Sequence, residues 1–244
     1  MNRKENQFID KFIDKAKKGH VSSQRWVASY FLSRDTPNAL SNAVFWLSKL
    51  VNKGDAWADY NLGYCYQEGR GVRRNISKAM QLYLLSSQKG YDSAQLNLGI
   101  IYAQRFKDFK KAMEFYRLAA KQGNKNALYN LGFYYEEGRG VSQNYKIACE
   151  WYLKAAKKGD IDAQNRVGYF YHEGKGVKPN LVEAFKWYKK AADNGNIASM
   201  YNLGLCYLEG DGVRKSKSRA LKWFKLASLK GHSASKKELK KLLK

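Results

Sequence analysis

The side chains that most often bind metals or react in proteins are few and far apart in this chain of 244 residues. The three histidines are His20, His172 and His232, and none has a second histidine or a cysteine three or four residues away. Two metal ligands on one helix need that spacing, so the sequence indicates no metal site. His172 is expected to lie on the surface of a helix.

The chain contains an odd number of cysteines, Cys65, Cys149 and Cys206. They are widely spaced and include no Cys-x-x-Cys pair. This pattern favours neither a zinc site nor a disulfide framework. Each cysteine is expected to be a free, buried thiol that behaves as a small apolar side chain. Free thiols are typical of a reducing compartment, which predicts a cytoplasmic protein.

Other residues that carry catalysis lack the context they need. Glu136 and Glu137 are adjacent, and neighbouring positions diverge on a helix, so they make a poor acid–base pair. A Gly-x-Gly-Val motif occurs four times, but without the Gly-Lys-Ser/Thr ending of a phosphate loop or a preceding strand. No Gly-x-Ser-x-Gly or Cys/His arrangement indicates a nucleophile. We therefore expect a protein that is not an enzyme and holds no cofactor.

Charge and hydropathy narrow the class of protein further. Lys and Arg number 45 against 21 Asp and Glu, and the resulting net charge of +24 favours acidic partners. The apolar fraction of 44% suffices for a packed core, and only two prolines favour long helices. No run reaches the ~18 apolar residues that cross a membrane, and the first residues lack an apolar signal-peptide core of ~7–15 residues. We expect a soluble protein without membrane contact.

A glycine recurs at nearly constant spacing and divides the chain into repeated units. These glycines are Gly19, Gly54, Gly90, Gly123, Gly159, Gly195 and Gly231, at intervals of 33 to 36 residues. Repeats are predicted at 55–90, 91–123, 124–159, 160–195 and 196–231, after a degenerate repeat at 20–54. Residues 1–19 resemble the second half of a unit, and residues 232–244 are a lysine-rich capping helix. A single solenoid domain is predicted over 1–244.

Each unit contains two amphipathic helices joined by the glycine motif. In the first helix, Ala58, Leu62 and Tyr66 fall on one face, and residues 148–156 show the apolar spacing of a second helix. The glycines between them suit a left-handed helix end, and a glycine inside the first helix, such as Gly63, indicates close approach of the second. A single pair of helices cannot bury the apolar faces of both of its helices. The units must therefore stack into an all-α, right-handed α/α superhelical solenoid with a concave and a convex surface.

The recurring motif itself resembles a known family. A-x-x-x-L-G-x-x-Y-x-x-G-x-G-V followed by K-A-x-x-W-Y-x-K-A-A-x-x-G is similar to Sel1-like repeats, relatives of tetratricopeptide repeats, over roughly residues 20–231. The resemblance implies a scaffold for protein–protein interaction, in roles that include adaptors, bacterial virulence factors and immunity proteins. Some secreted relatives pair two cysteines within each repeat. This chain departs from that pattern, so their oxidised export and penicillin binding do not follow.

The side of the first helices opposite the buried face is mostly aromatic. On the predicted concave surface these residues are Trp57, Tyr60, Tyr64, Tyr129, Phe133, Tyr169 and Tyr201. Such rings offer a partner a large contact area at low entropic cost, which indicates a groove that binds protein. The same rings could instead pack between neighbouring units.

An asparagine recurs beside this stripe, directly before the core leucine. Asn61, Asn97, Asn130 and Asn202 occupy the position, and Arg166 replaces the asparagine in one repeat. The amides could bind the backbone of a partner or fix the stacking of neighbouring repeats, and stacking is the favoured interpretation. Arg166 interrupts the series, so it is expected to add specificity by binding a carboxylate of the partner.

Positive charge is concentrated toward the end of the chain. Residues 196–244 carry +9, as much as residues 55–195 together. Six cations cluster in the last repeat, namely Arg214, Lys215, Lys217, Arg219, Lys222 and Lys225. They could be a solvated face, or they could bind an acidic protein or nucleic acid, although no nucleic-acid-binding signature accompanies them.

Two further expectations follow from the repeats. The repeat at 91–123 is three residues shorter and lacks the glycine motif, which predicts a local change of curvature near residues 104–108. The sequence as a whole favours a non-catalytic scaffold whose aromatic groove binds an acidic protein partner, with the role of a bacterial immunity protein, an effector or an adaptor. The alternative is a nucleic-acid-binding protein that uses the basic C-terminal region.

Overall fold

The computed structural model describes residues 3–243, with the side chains of residues 7–243, as a succession of α-helices. The predicted half-unit at 1–19 and capping helix at 232–244 reach beyond the described residues by Met1, Asn2 and Lys244. The described part contains fourteen helices and no strand, which confirms the predicted all-α class.

The chain divides into two compact units, of which the first ends at Lys107 and the second begins at Asp108. The first unit contains α1 (Arg3–Lys17), α2 (Val21–Leu32), α3 (Pro37–Val51), α4 (Ala56–Glu68), α5 (Ile76–Gln88) and α6 (Asp92–Gln104). The second contains α7 (Phe109–Lys121), α8 (Lys125–Glu137), α9 (Tyr145–Lys157), α10 (Ile161–Glu173), α11 (Leu181–Asp193), α12 (Ile197–Glu209), α13 (Lys217–Leu229) and α14 (Ser233–Leu242). One continuous domain, and a change of curvature at residues 104–108, stay predictions.

Helices adjacent in sequence pack against each other within each unit. In the first unit α2 packs on α3 and α4 on α5, while α3 and α5 contact the helices that follow them, α4 and α6. In the second unit the hairpins α8–α9, α10–α11 and α12–α13 follow one another in the same way, and α14 packs on α13. Each hairpin thus buries its second helix against the next first helix, which is the packing of a helical solenoid.

Asparagine and aspartate side chains begin most of these helices. Asp55 caps α4 by accepting a hydrogen bond from the backbone N–H of Ala58, and Asn75 caps α5 in the same way. The cap recurs at Asn124, Asn144, Asp160, Asn180 and Asn196. A side-chain cap satisfies a backbone N–H that no helical carbonyl can reach, and it stabilises a helix by about 1 kcal/mol. Most helices therefore carry their own start signal, whereas α2 and α6 begin without a side-chain cap.

The two glycines of the Gly-x-Gly-Val motif have different tasks. Gly69 ends α4 with a φ of 76°, a left-handed angle that glycine adopts at little steric cost, as the sequence predicted. The second glycine allows close packing instead. A Cβ atom at Gly71 would lie 2.5 Å from the carbonyl oxygen of Leu40 in the preceding hairpin. A residue without a side chain is therefore needed where the turn rests on α3.

A third glycine lies inside the first helices α4, α8, α10 and α12, where a ring of the second helix packs against it. A Cβ atom at Gly63 would lie 2.9 Å from the ring of Tyr83, and one at Gly132 would lie 2.7 Å from the ring of Tyr152. The predicted close approach of the two helices is confirmed. The rings belong to a series of buried aromatic residues on α5, α7, α9, α11 and α13, namely Tyr83, Tyr116, Tyr152, Tyr188 and Phe224. They form the centre of the core in each unit.

Candidate binding surface on the first helices

The aromatic residues predicted to line a groove all lie on first helices, and all are half-buried. Helix α4 in the first unit carries Trp57, Tyr60 and Tyr64, and helices α8, α10 and α12 in the second unit carry Tyr129, Phe133, Tyr169 and Tyr201. We call these seven side chains the first-helix rings. Each of them keeps part of its surface in contact with solvent.

Core rings cover the buried part of these side chains. In the first unit, the ring centroid of Tyr60 lies 5.7 Å from that of Tyr83 and 5.1 Å from that of Tyr91. In the second unit, the centroid of Tyr129 lies 5.3 Å from that of Tyr152. Aromatic pairs at such distances stabilise a fold by about 0.5–1.5 kcal/mol beyond the area they bury. Packing therefore orients rings whose other side remains exposed.

A positively charged residue from the glycine turn lies over three of the first-helix rings. The pairs are Arg70 with Tyr64 at 5.9 Å, Arg139 with Phe133 at 5.0 Å and Lys175 with Tyr169 at 5.0 Å from charged atom to ring centroid. Each cation is the residue between the two glycines of a Gly-x-Gly-Val motif. A cation within about 6 Å of a ring centroid is attracted to the face of the ring. The surface therefore presents aromatic and positive groups side by side.

The last repeat lacks both members of this pair. Leu205 occupies the position of the ring, and Asp211 occupies that of the cation. The carboxylate of Asp211 instead lies 3.4 Å from Nε2 of His172, whose Nδ1 is 2.8 Å from Glu173. His172, expected on the surface, is thus half-buried and bound on both sides by carboxylates.

The recurring asparagines have partners within the chain. Asn61 donates to the backbone carbonyl of Trp57 at 2.7 Å, Asn97 donates to the hydroxyl of Tyr83 at 3.1 Å, and Asn202 donates to the amide oxygen of Asn165 at 3.2 Å. Asn130 lies half-buried on α8. The bonds of Asn97 and Asn202 join neighbouring repeats, whereas that of Asn61 lies within its own helix.

Arg166 also has a partner within the chain, the buried carboxylate of Glu136. The other oxygen of that carboxylate accepts a hydrogen bond of 2.8 Å from the hydroxyl of Tyr152. Burial and the adjacent Glu136 raise the pKa of Tyr152 above its ordinary value. Burial lowers the pKa of Arg166, but the bond to Glu136 more than offsets this, so its pKa is raised. The guanidinium is therefore held charged beside Tyr169, with its side chain 31% exposed.

The first unit contains a neutral counterpart of this network. The hydroxyl of Tyr83 donates to the amide oxygen of Gln67 at 3.0 Å and accepts from Asn97. Gln67 and Asn97 are 30 residues apart, as are Glu136 and Arg166. The change from Asn to Arg at position 166 is therefore accompanied by a change from Gln to Glu at position 136, in the repeat before it. A comparison of positions 30 residues apart reveals this paired change from the sequence, whereas inspection of each repeat alone does not.

The predicted basic patch is exposed throughout. Arg214, Lys215, Lys217, Arg219, Lys222 and Lys225 lie in the turn before α13 and along that helix, and every one of these side chains is exposed. The guanidinium of Arg219 lies 5.5 Å from the ring centroid of Tyr207. The patch belongs to the second helix of its hairpin, whereas the first-helix rings lie on the other helix.

The buried thiols are unreactive. Cys65, Cys149 and Cys206 are free and buried, as predicted. Burial raises the pKa of Cys65 and Cys149 to about 11 and that of Cys206 to about 12, so the thiolate is scarce at neutral pH.

Across the described residues, no three potential metal ligands come together. Nor does any helix in residues 3–243 have the length and apolar character needed to span a bilayer.

Comparison with known proteins agrees with the repeat pattern. The model of the Sel1 repeat matches residues 58–91, 92–124, 125–160, 161–196 and 197–232, which is well over half of the chain. The chain belongs to the Sel1 repeat family. Sel1 repeat proteins typically act as non-catalytic scaffolds for protein–protein interaction. The predicted family is therefore confirmed, and with it the helical solenoid fold.

Solved Sel1 repeat structures resemble this chain over most of its length. It matches c5321, a protective antigen of uropathogenic Escherichia coli, with a TM-score of 0.90 and 30% identity over 95% of this chain and 50% of that one. A Sel1 repeat protein from Oxalobacter formigenes matches with a TM-score of 0.76 and 31% identity over 89% and 88%. Immunity protein Pa5087 from Pseudomonas aeruginosa shares the fold, with a TM-score of 0.51 and 20% identity over 86% and 82%. The chain spans half the length of c5321, and 16% and 11% of the lengths of two curated relatives.

Proposed function

We propose that this Sel1 repeat protein is a scaffold that binds an acidic segment of a protein partner through the first-helix rings of its second unit, Tyr129, Phe133, Tyr169 and Tyr201. The observation that carries the proposal is the pairing of half-buried rings with turn cations, as at Phe133 with Arg139 and Tyr169 with Lys175. The rings supply apolar contact area, and the adjacent cations supply charge that complements carboxylates.

Arg166 takes a specific part in this proposal. Its ion pair with Glu136 fixes the guanidinium beside the ring of Tyr169, at 5.2 Å from the centroid. An arginine has five N–H donors, so donors remain for a carboxylate of the partner after Glu136 is bound. Glu136 positions the guanidinium before binding, which reduces the entropy that the complex loses.

The net charge of +24 supports the choice of an acidic partner. A positive potential over the surface accelerates encounter with a negatively charged protein, while contacts at the rings determine how long the complex persists. Within this proposal the protein is an immunity protein, an effector or an adaptor. Identification of the partner distinguishes these three roles.

The test is to remove two rings of the second unit without disturbing the fold. The partner is captured from a nuclease-treated lysate of the source organism at moderate salt, identified by mass spectrometry and titrated calorimetrically. The double variant Phe133→Ala, Tyr169→Ala should raise Kd about tenfold or more. Phe45→Ala is the matched control, because Phe45 is an exposed ring on a second helix. An unchanged Kd for the double variant with unchanged helical circular dichroism would refute the proposal.

Exposure of all six cations of the basic patch favours a second candidate, binding of nucleic acid through α13 and its preceding turn. This candidate predicts affinity for single- or double-stranded nucleic acid that falls steeply with salt. It further predicts loss of binding in a variant with Lys215, Lys217, Arg219 and Lys222 replaced by Gln. A shallow salt dependence would exclude it.

A further inference from the structure

The second unit contains a cleft at the C-terminal ends of two second helices, α7 and α9. Its volume is about 660 Å³, and it is lined by Ala120, Lys121, Gln122, Gly123, Leu128, Lys154, Lys157 and Lys158. Half of the lining residues are lysines. We call this feature the lysine cleft. It lies apart from the first-helix rings and from the basic patch on α13.

One repeat of the first unit shows a lysine at this position bound to a carboxylate. At the end of α5, Nζ of Lys89 is 2.5 Å from the carboxylate of Asp59 on α4. Lys158 and Leu128 occupy the positions equivalent to Lys89 and Asp59, each 69 residues later in the chain. This repeat of the second unit therefore has the lysine, with an apolar side chain where Asp59 lies in the first unit.

One ammonium group of the cleft, that of Lys154, lies over the ring of Trp151, 4.2 Å from its centroid. Among the described residues, none of Lys121, Lys154, Lys157 and Lys158 forms an ion pair. Lys158 reaches over Gly123, where a Cβ atom would lie 3.1 Å from its Nζ. Leu128 is 4% exposed and forms the floor. The result is a concave site with an apolar base and a positively charged wall.

We propose that the lysine cleft binds a carboxylate side chain of an acidic peptide, in the place that Asp59 fills in the first unit. A carboxylate on an aliphatic stem matches both parts of the cleft, because the stem packs on Leu128 while the oxygens accept hydrogen bonds from the lysines. The proposal concerns a surface different from the first-helix rings, so it stands or fails separately from the proposed function.

The probe for this site is a fluorescein-labelled decamer of glutamate, titrated with the full chain and followed by fluorescence anisotropy. Lys158→Met should weaken binding about tenfold, the size expected for a lost hydrogen bond between charged groups. Lys230→Met is the matched control, because Lys230 occupies the equivalent position in the last repeat, opposite Met200 and outside the cleft. It removes the same charge and should change the affinity less than about twofold.

A second variant supplies the missing carboxylate from within the chain. Leu128→Asp should form the ion pair seen between Lys89 and Asp59 and so compete with the peptide, again weakening binding about tenfold. Leu128→Met, which keeps the floor apolar, should bind as the unmodified protein does. Equal affinities for Lys158→Met and Lys230→Met would overturn the proposal.

Two further measurements separate the remaining explanations. The variant Phe133→Ala, Tyr169→Ala should bind the glutamate decamer normally, and a loss of binding there would overturn the assignment to the cleft. A labelled uridine decamer distinguishes phosphate from carboxylate. If the uridine decamer binds and loses affinity in Lys158→Met while the glutamate decamer does not bind, the cleft takes nucleic acid and the proposal is wrong.

Discussion

The buried tyrosines of α5 and α9 occupy equivalent positions in the two units but are surrounded by different chemistry. Tyr83 lies between the neutral amides of Gln67 and Asn97, whereas Tyr152 shares a carboxylate with an arginine. Both rings press against a glycine of the first helix, Gly63 for Tyr83 and Gly132 for Tyr152. The comparison shows that a ring packed on the same glycine can carry either neutral or charged partners at its hydroxyl.

The two sets should respond differently when one member is lost. A neutral hydrogen bond contributes about 0.5–1.5 kcal/mol, and its loss leaves an amide that water can reach. An ion pair is different, because removing one partner leaves the other charged and buried at a cost of about 3–5 kcal/mol. The second unit is therefore more sensitive to single substitutions in its network than the first.

The largest effect is expected from Arg166→Met, which leaves the buried carboxylate of Glu136 without its countercharge. The free energy of unfolding of the second unit should fall by about 3 kcal/mol, measured by hydrogen exchange of amides in α8 to α10. Asn97→Leu at the equivalent position of the first unit should cost about 1 kcal/mol. Equal losses at the two positions would contradict the difference between the networks.

Removal of the tyrosine hydroxyl groups tests the same difference between the networks, with smaller expected changes in the free energy of unfolding. Tyr152→Phe takes a donor from a carboxylate and should cost about 1.5–2 kcal/mol, whereas Tyr83→Phe takes one from an amide and should cost about 1 kcal/mol. Urea unfolding followed by circular dichroism measures both. A larger loss for Tyr83→Phe would reverse the proposed order.

Conversion of one network into the other should be nearly neutral. The double variant Glu136→Gln, Arg166→Asn gives the second unit the residues of the first, and exchange of a complete buried ion pair for uncharged groups costs little. We expect a change below about 1 kcal/mol, far from the sum of the single substitutions. Additive losses in a double-mutant cycle would show that Glu136 and Arg166 do not act as a pair.

The smallest effect concerns His172, which occupies the position of Gln67 and Glu136 one repeat later. Burial lowers its pKa, but Glu173 and Asp211 raise it more, so the folded-state pKa lies above 6.5. The protonated ring therefore stabilises the fold fully below about pH 6.5, and this contribution is lost as the pH rises through the folded-state pKa. Because the ring is half-exposed, the contribution is expected to be a few tenths of a kcal/mol.

His172→Gln isolates this contribution. The difference in unfolding free energy between the unmodified protein and the variant should be larger at about pH 5.5 than at about pH 8.5. The same difference at both pH values would show that the two carboxylates do not favour the protonated ring.

The parts of the fold that repeat in sequence were predictable because their causes are local. A Gly-x-Gly-Val turn needs left-handed backbone at Gly69, and a first-helix glycine such as Gly63 indicates close helix packing. Both features are visible within the sequence of one repeat. The free, buried cysteines followed equally from their spacing. Periodicity assigns each residue to a face of its helix, and that was enough for the core.

Some partners of buried and half-buried residues were not predictable from the repeat pattern. Glu136 is buried because Arg166 of the next repeat and Tyr152 of its own repeat cover it. The cation of the turn lies over a ring six residues before it, because the turn folds back along the first helix, as Arg139 does over Phe133. The first contact depends on how neighbouring repeats pack and the second on the path of the turn, and hydrophobic periodicity specifies neither.

The second glycine of the turn has a consequence for how this surface can diversify. A Cβ atom at Gly71 would collide with the main chain of Leu40, and one at Gly140 would lie 2.8 Å from the carbonyl carbon of Phe109. Neighbouring hairpins are thus spaced by atoms that every amino acid shares. Substitutions of exposed side chains on the first helices should therefore leave the spacing of these hairpins unchanged.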